Sequence, residues 1–371
     1  MLFDYWHDAH LASLMVPSHD GSVPGHDGFS PGPEYLMNDA GHVAPVYDAS
    51  SHSGGSNSGS SGSSNFGSHS TASSVPAPTL VGSANGLQFD LIWDSSVAKA
   101  PSGFEQAIID AAQYYTTLFA NKEVINVDVG WGEIAGSSLS PSALGESESY
   151  GYLTNYATVT NALAHDGFTF SATNEPTHSQ FFVTSADAKS LGLVNPTSGL
   201  DGYIGFSTLS GTGYSWNLAA STTGANSGTG ATQFDLQSVA LHEISEVMGR
   251  IGMEGAIVNG KHTDTPLDLF NYQSHGALEL SGNGGYFSTN NGTTNLGIYN
   301  DASLYGGDIA DWASALSPTQ SHTQGLPSGV NVTDAYDAFL FPNYNGDVSQ
   351  SDILEEAALG FKLTPTGVAL A

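Results

Sequence analysis

The sequence predicts an α+β domain whose N-terminal half is α/β-like, and three features carry that prediction. A strand, an amphipathic helix and a second strand follow one another between Gln88 and Gly132. A strong helix occupies 236–249, and the stretch beyond it is dominated by turns, Asn, Gly and short strands.

The elements follow in chain order. In QFDLIWD (88–94), Phe89, Leu91 and Trp93 alternate with polar neighbours as in a half-buried strand. A backing helix over 102–120 shows Phe104, Ile108, Ala111, Tyr115 and Leu118 on one stripe, with Ser102 and Glu105 in the spacing of a capping box. VINVDVGWG (124–132) puts Ile125, Val127 and Val129 on one face, which completes a βαβ unit with parallel neighbours in a twisted mixed sheet. Helices are expected over 149–164 and 185–191, and a strand over DGYIGFS (201–207). STTGANSGTGA (221–231) reads as a flexible loop. It leads into the helix 236–249, with Asp235 placed as N-cap and Gly249 at its end. A last helix is expected over 349–359, closed by Gly360.

Residues 1–78 form a separate region. Ser, Gly, His, Asp and Pro dominate it, with no Lys or Arg before residue 78, and such a composition cannot bury enough apolar surface to offset its ordering entropy. A disordered tail at 1–78 and one folded domain at 79–371 are therefore expected. Seven of the thirteen histidines lie in the first 69 residues, but their irregular spacing favours a solvated tail over a metal site.

Charge excludes whole classes of partner. With 36 acidic and 6 basic residues, the net charge of −30 repels nucleic acid and anionic membrane surfaces, and protein or peptide becomes the expected partner. No cysteine is present, so thiolate ligands and disulfides are ruled out. The acidic, Gly- and Ser-rich composition fits an extracellular protein. The N-terminus lacks the basic and apolar regions of a Sec signal, so a Sec-independent secretion route is expected.

The chemistry concentrates on LQSVALHEISEVMGR (236–250). His242 and Glu246 are four residues apart and share one helix face, where an imidazole and a carboxylate can hold one cation. Glu243 lies beside them, placed to act as a general base toward a metal-bound water. This is the logic of the H-E-x-x-H zinc helix, with glutamate in place of the second histidine. Gly249 falls on the same face, seven residues past His242. Arg250, the one arginine of the chain, closes the helix, where it can cap carbonyls or grip a carboxylate. An ordinary amphipathic helix with solvated His and Glu would show the same spacing.

ALHEISEVMGR (240–250), PLDLFNY (266–272), YFSTNNGTTNLGIYN (286–300) and GDIADWAS (307–314) together resemble a bacterial family of secreted zincin metalloproteases with an HEISEVMGR signature. The resemblance continues upstream through LQFDLIWDSSV, VINVDVGWGEI, LGES (144–147) and LDGYIGFS, and covers roughly 85–365. It implies a zincin/metzincin-like fold and a zinc-dependent endopeptidase, with His242 and Glu246 as metal ligands and Glu243 as catalytic base. Where metzincins carry a third histidine this chain has Gly252, so the third ligand stays open among Asp268, His262, Asp264 and water. Asp268 is preferred because it is embedded in an apolar run, where it needs either a metal or Arg250 as partner. Tyr272 and Tyr286 are candidates for a phenol at the oxyanion. DGYIGFS resembles the edge strand on which zincins bind an extended peptide, and equally an ordinary sheet strand. Asn- and Asp-rich turns such as PNYNGDVSQSD (342–352) raise Ca2+ as a further cofactor, though none has EF-hand spacing. The missing third histidine keeps open a non-catalytic binding or adhesive protein, and the Gly/Ser/Asn content a secreted matrix component.

Overall fold

The computed structural model describes residues 34–38, 43–45, 75–170, 176, 179–196, 199–219, 230–254, 256–313 and 334–371. The histidines of the first 69 residues and most of the 221–231 stretch lie outside them. The architecture is mixed α+β and is built on a large mixed sheet.

Two short strands, β1 (Glu34–Asn38) and β2 (Val43–Pro45), form within the segment whose composition predicts disorder, and they pair as an antiparallel hairpin. β3 (Thr79–Gly82) runs antiparallel to β4 (Gln88–Trp93). In β4 the alternation seen in the sequence is the burial pattern, with Phe89, Leu91 and Trp93 inward. α1 (Phe104–Leu118) buries all five residues of the expected stripe. Its entry differs from expectation. Gly103 in the left-handed region at φ 100° is the N-cap, and no side chain caps the helix, because Phe104 N–H closes a turn on Pro101 O at 3.1 Å and leaves Ser102 outside. β5 (Val124–Trp131) then pairs parallel with β4, as the βαβ reading requires.

The predicted helix over 149–164 is half strand. β6 (Gly145–Thr154) runs through its first residues, and α2 (Tyr156–His165) begins only after Asn155, whose side chain accepts from Thr158 N–H at 3.0 Å. The inward residues of β6 include Ser147 and Ser149, so its period of two carries no apolar signal. β7 (Ser179–Thr184) and α3 (Ser185–Ser190) follow. β8 (Gly202–Phe206) is parallel to β5 on one side and antiparallel to β6 on the other. DGYIGFS is therefore an interior strand and not a peptide-binding edge; its small residues and central burial follow from being paired on both sides.

β9 (Ser215–Asn217) and β10 (Gln233–Asp235) make a short parallel pair that delivers α4 (Leu236–Met248). Every residue of α4 is buried, since it packs between α1 and the sheet at β6 and β8. Apolar burial of this kind contributes about 1.5–3 kcal/mol for each fully enclosed Leu, Ile or Val. β11 (Ala256–Val258) and β12 (Lys261–Asp264) extend the sheet beyond β7. The C-terminal part comprises a small sheet of β13 (Asn271–Ser274), β14 (Ala277–Leu278), β15 (Tyr286–Phe287) and β16 (Gly297–Ile298). The short helix α5 (Ala302–Tyr305), then α6 (Gln350–Ala358) and α7 (Pro365–Leu370), complete the chain. Ser349 and Asp352 form a capping box on α6. No helix among the described residues is long and apolar enough to cross a membrane.

Candidate metal centre

The helix that carries the motif is fixed at both ends. Asp235 accepts from Ser238 N–H at 3.2 Å and from its hydroxyl at 2.6 Å. Gly249 ends the helix with φ 138°, a conformation that favours glycine, and its N–H reaches Ser245 O and Glu246 O. His242, Glu243, Glu246 and Arg250 thus project from a rigid element into the interior and not to solvent, with exposures of 0–2%. The solvated-helix alternative is set aside by that burial.

Three ligand-type side chains converge. His242 Nε2 lies 3.2 Å from Glu246 Oε1 and 3.3 Å from Asp311 Oδ1. These atoms form the one group of three or more His, Asp or Glu able to hold a single ion among the described residues. The other ring nitrogen, His242 Nδ1, is 2.8 Å from Ala335 O, to which it donates, and this turns Nε2 toward the two carboxylates. Glu246 Oε2 accepts from Ser147 Oγ at 2.8 Å. Asp311 Oδ2 is buried with no hydrogen-bond partner among the described residues.

Arg250 binds the carboxylates from behind. Its Nη1 donates to Asp311 Oδ1 at 2.5 Å and its Nη2 to Glu246 Oε1 at 3.3 Å. Nε donates to Ser245 Oγ at 2.7 Å, and the guanidinium lies 4.5 Å above the Tyr336 ring. Tyr336 is itself tied to Glu356 Oε1 at 3.1 Å and to the Tyr115 hydroxyl at 3.0 Å. Burial opposes the arginine's charge, but Asp311 and Glu246 hold it firmly protonated. For Glu246, burial pushes the carboxyl up, and His242, Arg250 and Ser147 together outweigh it and keep it below its usual range. For Asp311, burial wins over His242 and Arg250 and the carboxyl is raised.

Glu243 points at the neighbouring strand. Its carboxyl group lies against Gly145 so closely that a Cβ there would overlap Oε1 and stand 2.8 Å from Cδ. Both Gly145 and Ser147 belong to LGES, so that short motif faces the helix motif.

Of the expected site residues, the structure brings together His242, Glu246 and Arg250; Glu243 follows His242 on the same helix with its carboxyl group against Gly145, and Asp268, His262, Asp264, Tyr272 and Tyr286 lie outside the cluster. Asp268 is neither in the cluster nor the partner of Arg250. Its Oδ2 accepts from Thr265 N–H at 2.7 Å and Met253 N–H at 3.1 Å, which closes the turn after the helix, and burial with Asp264 nearby raises its carboxyl well above the usual range. The apolar run around Asp268 signalled a buried carboxylate with backbone partners, not a metal ligand. His262 is exposed on β12, and Asp264 is buried on the same strand outside the cluster. Tyr272 stands in the four-stranded sheet, its ring 6.4 Å from that of Tyr286, and burial with Tyr156 and Tyr286 pushes its hydroxyl up to about 12. Tyr286 donates to Gly292 O at 2.7 Å. In the 342–352 turn, the Asp352 oxygens accept from Trp312 Nε1 and Ser349 N–H, so that carboxylate holds α6 in place.

The third ligand-type residue, Asp311, was missed. Its signal was its place in GDIADWAS, beside a tryptophan that anchors the segment. Trp312 stacks on Tyr299 at 5.0 Å, and Asn300 N–H donates to Asp311 O at 2.8 Å. Ala335 and Ser147, which orient His242 and Glu246, had no signal as single residues.

Compared with protein-family models, curated proteins and solved structures, the chain matches none. Its function is therefore argued from the geometry of this cluster.

Proposed function

We propose that the protein is a zinc-dependent endopeptidase of zincin type, with His242, Glu246 and Asp311 as the metal-holding residues and Glu243 as the catalytic base. The observation that carries this reading is the spacing of the three ligand atoms. Zinc bonds of about 2.0–2.2 Å in tetrahedral array set ligand atoms about 3.3–3.6 Å apart, whereas charged N–H···O contacts close to about 2.7–2.9 Å. His242 Nε2 stands at 3.2 and 3.3 Å from its two carboxylate neighbours, nearer the first range. The donor set of one imidazole and two carboxylates suits zinc, and Asp311 Oδ2, without a hydrogen-bond partner among the described residues, keeps its lone pairs for a further bond to it.

The chemistry zinc supplies when bound is Lewis acidity toward a peptide carbonyl. The chain's own residues do the remainder. Ala335 O orients the imidazole, and Arg250 and Ser147 hold Asp311 and Glu246 in place. Glu243 takes the proton of the attacking water and returns it to the leaving amine, which balances the step without another acid. A protein or peptide substrate and an extracellular setting belong to the same reading, which the sequence resemblance and the acidic composition support.

The exposures of 0–2% at the cluster favour a second reading, a metal-stabilised binding or adhesive domain without turnover. Metal analysis with casein hydrolysis separates the two. Wild type is expected to hold about one zinc per chain and to cleave casein. His242→Ala should fall below half the wild-type zinc, and Glu243→Ala should keep zinc and lose cleavage. Equal zinc in all three proteins would remove the metal site. Zinc without cleavage under any condition would leave the binding domain.

A further inference from the structure

β6 pairs on one side with two successive strands. Residues 148 and 149 face β8 and β1 at once, and residues 151 and 152 face β7 and β1 at once. β8 and β7 must therefore follow one another along one edge of β6, and β1 covers the opposite edge. Apart from β1, that edge is where the sheet would end beside α4.

The covered edge runs over the metal-centre residues. Asn38 of β1 is opposite Glu148 and Met37 is opposite Ser149. Ser149 Oγ donates to Glu246 O at 3.3 Å, and Ser147, one residue beyond the end of β1, holds Glu246 Oε2. Met37 is buried in a small apolar cluster with Phe182, Ile251, Met253 and Val258, of which Ile251 and Met253 belong to the turn that follows Arg250. An extended chain entering antiparallel to β6 would need the backbone groups that β1 already occupies.

β1 is five residues long, pairs with β6 at every one of them and with β2 on its other side, and is anchored by the buried Met37 with Leu36 half-buried. A short hairpin held to the domain through one strand can open locally without global unfolding. Covalent continuity with the domain nevertheless gives it a high effective concentration at β6, so that it outcompetes a free peptide of equal intrinsic affinity.

We propose that β1 is a built-in occupant of the peptide-binding edge of β6, and that its displacement opens the site to an extended substrate. This rests on the peptidase reading above for the nature of the substrate, but not for the occupancy of the edge. The function of the N-terminal segment is then autoinhibition in cis.

The test uses the full chain and a fluorescein-labelled synthetic peptide with the sequence of residues 30–48 as the probe of the edge, read by anisotropy. Met37→Asp, which places a charge in the apolar cluster, should bind the peptide at least tenfold more tightly than wild type. Leu36 and Tyr150 are directly opposite one another, and the chain has no cysteine of its own, so Leu36→Cys with Tyr150→Cys can form only the intended disulfide. The oxidised protein should bind no peptide, and a phosphine reductant should restore binding to the wild-type level. The double variant serves as the decisive arm if Met37→Asp fails to fold. Equal binding by wild type and both variants, oxidised or reduced, would overturn the proposal. Casein cleavage is followed in parallel. Cleavage that rises with peptide binding supports regulation of the site, and peptide binding that follows opening without any cleavage overturns the peptidase reading while the edge assignment stands.

Discussion

Arg250 Nη1 and Asp311 Oδ1 are 2.5 Å apart with both side chains fully buried, and the same carboxylate oxygen is 3.3 Å from His242 Nε2. The only guanidinium of the chain thus fixes a carboxylate of the candidate metal centre. Removing its planar geometry while keeping its charge separates position from charge. Arg250→Lys cannot donate at once to Ser245, Asp311 and Glu246, and it cannot stack on Tyr336. A loss of about 3 kcal/mol is expected in urea melts, the scale of a broken buried pair, together with weaker zinc retention. Coincident melts of the two proteins would show that Arg250 does not hold the cluster.

Asp311→Asn tests the proposed ligand that the sequence did not reveal. The amide keeps the shape and can still accept from Arg250, but it donates a weaker lone pair to a cation. Zinc content is expected to fall below half of wild type. Asp268→Asn, by contrast, should leave zinc unchanged, because Asp268 closes a turn with the Thr265 and Met253 amides. The reverse result would restore Asp268 as ligand.

Local patterns recovered most of the elements that carry the site. α4, its Asp235 cap and its Gly249 stop were legible because capping and helical periodicity are read over a few residues. β4, α1 and β5 were legible for the same reason, through Phe89, Ile108 and Val127. β6 was not, since its inward positions hold Ser147 and Ser149, which satisfy polar groups of α4 and give no hydrophobic alternation. Pairing partners were equally hidden. Nothing in DGYIGFS distinguishes an interior strand from an edge, and nothing in Glu34–Asn38 shows that it joins β6, because register is set by contacts more than a hundred residues apart. Asp311 belongs to the same class. It comes within reach of His242 only because Trp312 seats its segment against Tyr299 and Asp352.

Stability should decline from mildly acidic to alkaline pH. Burial pushes Glu123 and Glu356 up to about 8, Glu148 to about 7 and Asp128 to about 6. In the unfolded chain these carboxyls ionise near their ordinary values of about 4. Between those values and the folded ones the native state binds more protons, so stability is greatest below the unfolded values and is lost as pH rises through 6 to 8. Glu246 is shifted the other way, and its contribution is lost on acidification. Melts followed by circular dichroism from pH 5 to 9 at constant ionic strength should show a falling transition temperature. Glu356→Gln, which keeps an acceptor for Tyr336, should flatten the decline, and an unchanged slope would show that Glu356 ionises normally in the folded protein.

Gly145→Ala probes the position of the proposed base without replacing it. The added methyl would overlap Glu243 Oε1 and stand 2.8 Å from Val239 Cγ1, so either the carboxyl group or β6 must shift. The three atoms nearest the added methyl belong to Glu243 and Val239, not to the proposed metal-holding residues. Overpacking of this kind costs about 1–3 kcal/mol. Casein cleavage should fall at least tenfold, because a displaced carboxyl group no longer reaches the water it must deprotonate, while zinc content stays at the wild-type level. A double-mutant cycle identifies the cause. In a Glu243→Ala background the overlap with the Glu243 carboxyl group is gone, so the cost of the methyl should shrink by about 1 kcal/mol or more, the coupling expected of residues in contact. An equal cost in both backgrounds would mean that Glu243 does not rest against β6, and the role assigned to it as base would lose the geometry on which it stands.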